Sequence, residues 1–414
     1  MGLVDPLIAI AASLCFLVVL LYKRVNLGIT LNLTALIMAF LALSWQEIPN
    51  TIFRTTVDLL TVSVVLATFA IMWLSQLYKE TGVMNRMSES LSRIIKNPKI
   101  VLSVLPAVIG FLPVAGGALM SAPLVDSEAE KLKLKPVKKA YVNLWFRHTI
   151  FPVYPLSQVL IVAALLAGTT VPTIILRQIP VVTVMVVVGY IIGFWKTSNP
   201  KIEKNQQIGN ERNSDLKKFL TAFSPILISI FVVIVLSLVS FNLSKLGLDV
   251  LIATFVGLAA LVVISKPSRQ IFTKPLKNWG IYGITFAAYG AFLLGSVIKE
   301  TGISGMFGTL VANGSVDSTV LLIVIPAALG VLTASALGGV SISIPILGGI
   351  MTLNPAMASL IYLSAYLGYV VSPTHLCFAF TADYFKCSLG KIYKYVIPSL
   401  LITYATTLLV YFLF

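Results

Sequence analysis

Charge is what this sequence has least of. Only 11% of its 414 residues are Asp, Glu, Lys or Arg, against about 25% in soluble domains, while 58% are hydrophobic. Acids number 15, cysteines three (Cys15, Cys377, Cys387) and histidines two (His148, His375). Cysteines so few and scattered exclude a disulfide framework, and two histidines without a companion cluster argue against a metal-ligand site. No P-loop pattern occurs, which argues against ATP-driven transport by this chain alone and leaves no cofactor implied. The formal charge of +15 is not a nucleic-acid footprint, because the basic residues fall in short loops between apolar segments.

Apolar runs fill the rest. Spans are expected near 7–22, 28–46, 57–78, 140–168, 171–195, 219–240, 247–265, 279–298, 355–382 and 389–413. The first lacks a basic n-region and is followed by Lys23 and Arg24. It therefore reads as a retained span with the N-terminus outside, not a signal peptide. Two further stretches, 100–125 and 319–350, are interrupted by Gly, Pro and Ser. The one long polar segment, 196–218, reads as a flexible cytoplasmic linker.

That linker separates two halves, 1–195 and 219–414, that resemble each other. Lys79-Glu80-Thr81-Gly82-Val83 reappears as Lys299-Glu300-Thr301-Gly302-Ile303. Leu105-Pro106-Ala107 matches Ile325-Pro326-Ala327, Gly116-Gly117 matches Gly338-Gly339, and Tyr154-Pro155-Leu156-Ser157 matches Ser372-Pro373-Thr374-His375. Four short matches in one order indicate an internal duplication. If each Gly-Gly stretch enters the membrane and returns to the same face, 25 of the 30 Lys and Arg residues fall on one face. The exceptions are Arg54, Arg147, Arg177, Lys245 and Lys299. Were the stretches full crossings, this asymmetry would collapse. The expected architecture is thus an all-α polytopic membrane protein of about ten transmembrane helices plus two re-entrant hairpins, in two inverted-topology repeats. Its location would be the cell membrane, with both termini outside and the basic loops cytoplasmic.

Non-helical backbone at membrane depth survives only where protein or a water-filled cavity satisfies it, and transporters place substrate sites there. The candidate substrate-binding residues come from four such segments. The first hairpin tip offers Ala115, Gly116, Gly117 and Ser121, and the second offers Ser335, Gly338, Gly339 and Ser341. Alone, either tip reads equally as close helix packing through small residues; as a symmetric pair beside broken helices they point to a site. Proline opens the two spans alongside, bringing Pro155, Ser157 and Gln158 in one and Ser372, Pro373, Thr374 and His375 in the other. Arg147 and His148 precede the first break. An intramembrane arginine suits bidentate capture of a carboxylate or phosphate; its alternative is to snorkel to the headgroups. His148 or His375 could carry a coupled proton, and sodium could be held by hairpin carbonyls and hydroxyls without a carboxylate.

The stretch from Phe111 to Pro123 through Trp145-Phe146-Arg147-His148-Thr149 resembles a family of uncharacterised archaeal and bacterial predicted permeases. The set of two hairpins, two proline-broken helices and a repeat resembles the ion transporter superfamily, which includes gluconate permeases and divalent-anion:sodium symporters. That resemblance implies a scaffold and a mobile transport domain in each half, homodimerisation and elevator-type alternating access. The symporters' Ser-Asn-Thr tip motif is replaced here by Ala115-Gly116-Gly117 and Leu337-Gly338-Gly339, so their sodium chemistry does not transfer.

The expected function is secondary active transport, by symport or antiport, of a small anionic organic solute across the lipid bilayer. One alternative is movement of a lipid-linked phosphate such as a polyprenyl phosphate. Another is an intramembrane enzyme, for which Asp126 with Asp383, or Ser157 with His375, are the available pairs.

Overall fold

Helix starts are written into this sequence as Asn, Asp and Pro. The side chains of Asp58 and Asn278 accept backbone N–H groups at the starts of two helices, as do Asn97 and Asp317 at two others. Both pairs lie 220 residues apart (278 − 58 and 317 − 97). Gly82 and Gly302, also 220 apart, follow helix ends with φ of 69° and 68°, a left-handed conformation that only glycine adopts without cost. The sequence matches therefore mark equivalent helix boundaries.

The computed structural model describes residues 4–112, 117–197, 209–302 and 317–414. Among these, every regular element is helical. In the first half they are α1 (Pro6–Tyr22), α2 (Leu27–Ala42), α3 (Glu47–Val57), α4 (Leu59–Glu80), α5 (Val83–Ile94), α6 (Pro98–Gly110), α7 (Gly117–Glu130), α8 (Pro136–Arg147), α9 (Gln158–Leu166) and α10 (Val171–Phe194). The second half has α11 (Gly209–Val239), α12 (Phe241–Lys245), α13 (Leu248–Ser265), α14 (Arg269–Thr273) and α15 (Trp279–Glu300). It continues with α16 (Ser318–Thr333), α17 (Ala336–Ile350), α18 (Pro355–Val371), α19 (Leu376–Tyr384) and α20 (Leu389–Leu413). Among the described residues, eight segments are long and apolar enough to cross a membrane: α4, α8–α9, α10, most of α11, α13, α15, α18–α19 and α20. The chain is a polytopic membrane protein.

Two expectations need adjustment. The linker expected over 196–218 does not persist to its end, because α11 begins at Gly209 and carries the polar residues before Phe219 as its opening turns. Short helices α3 and α5 fill what read as loops; α5 buries Val83, Met84, Met87 and Leu91 and leaves Arg86 and Glu89 exposed. Glu80, at the end of α4, pairs with Lys274 at 2.6 Å.

Packing between the halves is reciprocal. α2 lies against α15 and α13 against α4; α7 lies against α19 and α17 against α9. The arms of the second hairpin, α16 and α17, meet at Ala334, which takes a left-handed φ of 47°. Gly110 in α6 sits where a Cβ would come 2.6 Å from the Arg147 carbonyl oxygen, and at Gly330 in α16 a Cβ would strike the Ala365 carbonyl. Both hairpins thus seat a glycine on the backbone of the adjacent broken helix, an approach that larger residues forbid.

The two spans that break are also the most enclosed, 72% buried over their apolar windows against 28% for α11 and α20. Enclosure forces an answer to what Pro152 and Pro155 leave undone. Neither can donate to the carbonyl four residues earlier, which leaves the oxygens of His148 and Phe151 without their helical partners. Two tyrosines one turn apart on α18 replace them. Tyr366 Oη donates to the His148 carbonyl at 2.5 Å and Tyr362 Oη to the Phe151 carbonyl at 3.2 Å. Changing Tyr366 or Tyr362 to Phe strands a buried carbonyl and should each cost about 1–3 kcal/mol of stability. Thermal unfolding in detergent should show both midpoints lowered, with Tyr384→Phe, on an exposed ring, unchanged.

Candidate functional site

α8 delivers a charge to the point where its span opens. Arg147 is its last residue and is only 2% exposed, so it does not snorkel to the headgroups. Nη2 donates to the Leu112 carbonyl at 3.4 Å, while Nε and Nη1 are buried with no hydrogen-bond partner among the described residues. Among the described residues no carboxylate pairs with it. Gly117, the first residue of α7, lies so close that a Cβ there would run into the guanidinium. The first hairpin closes on Arg147 with both arms, through Gly110 on its backbone and Gly117 on its head. The start of α7, where free N–H groups and the helix dipole favour an anion, thus adjoins an unneutralised guanidinium.

His148 follows. Its Nδ1 is 2.7 Å from the Leu144 carbonyl, an arrangement in which Nδ1 carries the proton and Nε2, buried and unpartnered, is the free acceptor. The His148 and His375 rings meet edge to face at 4.9 Å, and Tyr369 lies 4.0 Å from His375. His375 stands at the N-cap of α19, the position that Ser157 holds in α9. Neither of its nitrogens makes a hydrogen bond of ordinary geometry, although the Val370 backbone stands beside the ring. The sequence reading gave the two histidines no companion; in the fold Cys377 joins them, with ligand atoms of all three within 4.8 Å of one another.

The other expected residues divide. Ala115 and Gly116 lie outside the described residues. Ser121 is buried and committed, donating to Asn143 Oδ1 at 2.6 Å. Asn143 Nδ2 in turn donates to the Ala118 carbonyl (3.0 Å) and to Thr381 Oγ1 (3.3 Å), tying α7, α8 and α19 together. Ser335 caps α17 by accepting from the Gly338 N–H at 3.1 Å. Gly338 packs on Thr333 and Gly339 on Ala365, and the hydroxyl of Ser341 is buried without a partner. Ser372 donates to the Val331 carbonyl at 2.7 Å, fastening the second break to its hairpin. Pro155, Ser157 and Gln158 are buried, and Gln158 Nε2 has no partner. Pro373 and Thr374 face outward instead.

Neither pair raised for an enzyme forms a hydrogen-bonded dyad. Asp126 is held by Lys139 at 2.7 Å, an ammonium that also takes Glu130, and His375 accepts nothing from Ser157. Asn143 and the two tyrosines escaped the sequence reading. The i, i+4, i+7 run Tyr362, Tyr366, Tyr369 was visible, but its target, a proline-vacated carbonyl more than 200 residues away, was not.

The family description "Protein of unknown function (DUF401)" matches residues 8–414. The chain belongs to the DUF401 family. None of the curated proteins matches it. In this DUF401 chain Arg147, His148, His375, Gln158 and Ser341 all hold buried polar atoms without a hydrogen-bond partner among the described residues.

The contact between Gly117 and Arg147 can be isolated. Gly117→Ala should cost about 1–3 kcal/mol by overpacking the guanidinium. In an Arg147→Ala background the same change should cost little, and a double-mutant cycle on unfolding free energies measures the difference.

Proposed function

We propose that this DUF401 protein is a secondary active transporter of a small anionic organic solute. The observation that carries the reading is Arg147, whose Nε and Nη1 are buried without partners beside the first residue of α7. A buried guanidinium that no carboxylate neutralises is costly, and an anion bridging it to the amides of the hairpin tip would relieve the cost with charge-assisted hydrogen bonds. His148, Gln158 and Ser341 are further donors or acceptors that a solute could engage.

The reading extends to how the solute crosses. Matched caps, matched glycines and the reciprocal contacts α7–α19 and α17–α9 support two repeats of opposite topology. In this reading residues 1–195 and 219–414 are the repeats, and the basic loops face the cytoplasm with both termini outside. The hairpins and broken helices, bound to one another, form the moving body of an elevator of the ion transporter type, and the outer spans provide a homodimeric scaffold. A cavity of about 470 Å³ lined by Leu60, Leu165, Phe292, Ser296, Lys299 and Pro345 lies among α4, α9, α15 and α17, beside the direct contact of α17 with α15 along which such a body would slide. Sodium or a proton would supply the driving force.

Binding tests the proposal directly. Thermal unfolding of the purified chain is recorded against a panel of small carboxylates and phosphates, with sodium and pH varied. A ligand at about 100 times its Kd adds roughly 2.7 kcal/mol to the native state. The expected result is a midpoint raised by a subset of anions and unmoved by them in Arg147→Ala. Stabilisation by polyprenyl phosphate alone would favour the lipid-linked alternative, and no response to any anion would refute both.

A further inference from the structure

We infer that His148, His375 and Cys377 form a three-coordinate site for one soft monovalent metal ion of the Cu(I) class. The site goes beyond the anion reading and does not depend on it: its atoms are the imidazoles and the thiol, not the guanidinium.

Three observations converge. Ligand atoms of the three residues lie within 4.8 Å of one another, and all three side chains are buried. In a trigonal plane with metal–nitrogen and metal–sulfur distances of about 2.0–2.3 Å, neighbouring ligand atoms stand roughly 3.5 Å apart. Closing the trio takes a contraction on the order of 1 Å, within the reach of side-chain rotation. Second, His148 is already arranged as a ligand. Nδ1 bonds the Leu144 carbonyl, which fixes the tautomer and leaves Nε2 bare, the second-shell arrangement that metal-bound histidines use. Third, the ring nitrogens of His375 make no hydrogen bond of ordinary geometry, and the Val370 backbone stands ready to take one N–H while the other nitrogen coordinates.

Charge selects the metal. When a monovalent ion binds Cys377, the S–H bond breaks, the metal–thiolate bond forms, and the proton leaves to water. One positive charge replaces another, so the net charge of the enclosed cluster does not change. A divalent ion such as Zn²⁺ would leave one extra positive charge beside Arg147, a repulsion that a water-poor interior screens weakly. One thiolate and two imidazoles also match the softness of Cu(I), and three ligands satisfy its coordination without a water.

The place of the site gives it a consequence. His148 ends α8 in the first half, while His375 and Cys377 begin α19 in the second. A metal bound there would link the two breaks across the core.

The test uses the purified full chain under anaerobic conditions, with Cu(I) offered from a chromogenic chelator and Ag(I) as a redox-inert substitute. The expected result is about one ion per chain and an ultraviolet thiolate-to-metal charge-transfer band. Loss of a direct ligand in Cys377→Ser or His375→Gln should weaken retention by more than the roughly 10–100-fold typical of an outer-shell partner. Cys15→Ser and Cys387→Ser should retain the ion. A measurement with the trio intact removes dependence on how the site variants fold: in the Cys15→Ser/Cys387→Ser chain, Ag(I) should slow maleimide labelling of Cys377, whereas Zn²⁺ should not. Unchanged retention in Cys377→Ser, no protection of Cys377 by Ag(I), or Zn²⁺ held as tightly as Ag(I) would each overturn the inference. Cys377→Ser should keep any anion-induced stabilisation, so failure here is distinguishable from failure of the transport reading.

Discussion

Two hydroxyl groups hold this fold open. Pro152 and Pro155 break a span in the most enclosed part of the molecule, where a stranded carbonyl has no water to turn to. Tyr366 and Tyr362 take the oxygens of His148 and Phe151, and they reach them from the other half of the chain. The break is therefore a property of the assembled pair of halves, not of the sequence that carries the prolines. Everything chemical about the core follows from it. Arg147 and His148 end a helix at depth because α8 stops there, and α8 stops there because an opposing helix accepts its loose ends.

A second constraint is the charge so placed. Arg147 has a single long hydrogen bond, to the Leu112 carbonyl, and a hairpin arm against its head with no room for even a methyl group. The rest of the core is treated differently. Asn143 uses both ends of its amide to join three helices, and Lys139, in the first turn of α8, is matched by two carboxylates. A chain that satisfies Asn143 and Lys139 so fully has the means to satisfy Arg147, and leaving it unpaired is a feature of the site.

Much of this was legible in the sequence and some could not be. Eight of the ten expected spans and both breaks could be read because apolar length and proline act locally. The repeat was readable at Gly82 and Gly302, since the same left-handed turn demands the same residue twice. Asp58 with Asn278, and Asn97 with Asp317, went unnoticed because the cap chemistry is kept while the residue identity changes. The candidate site was half visible. Arg147, His148 and His375 stood out as rare ionisable groups, but Cys377, one of three scattered cysteines, did not, since a thiol becomes a ligand only through its neighbours. Ser121, Ser335 and Ser372 looked available in sequence, and their hydroxyls are engaged in tying the hairpins to the helices.

The matched backbone carries unmatched chemistry. Gly110 rests on the carbonyl of Arg147 and Gly330 on that of Ala365, so the guanidinium of one half answers to a methyl group in the other. Ser157 and His375 hold the same N-cap position, and there the second half supplies the imidazole. Two copies of one fold would give matching helix ends and matching breaks, which the proposed motion between two faces of a membrane requires. The proposed selection of a solute requires the reverse, since a site with equal halves would hold an asymmetric molecule equally well either way round. The chemistry diverges at the breaks, while Pro155 with Pro373, the caps at Asp58 and Asn278, and Gly82 with Gly302 stay paired. Constraint on geometry and freedom in chemistry thus fall on different residues, so the donors at the breaks can change without disturbing the hairpins.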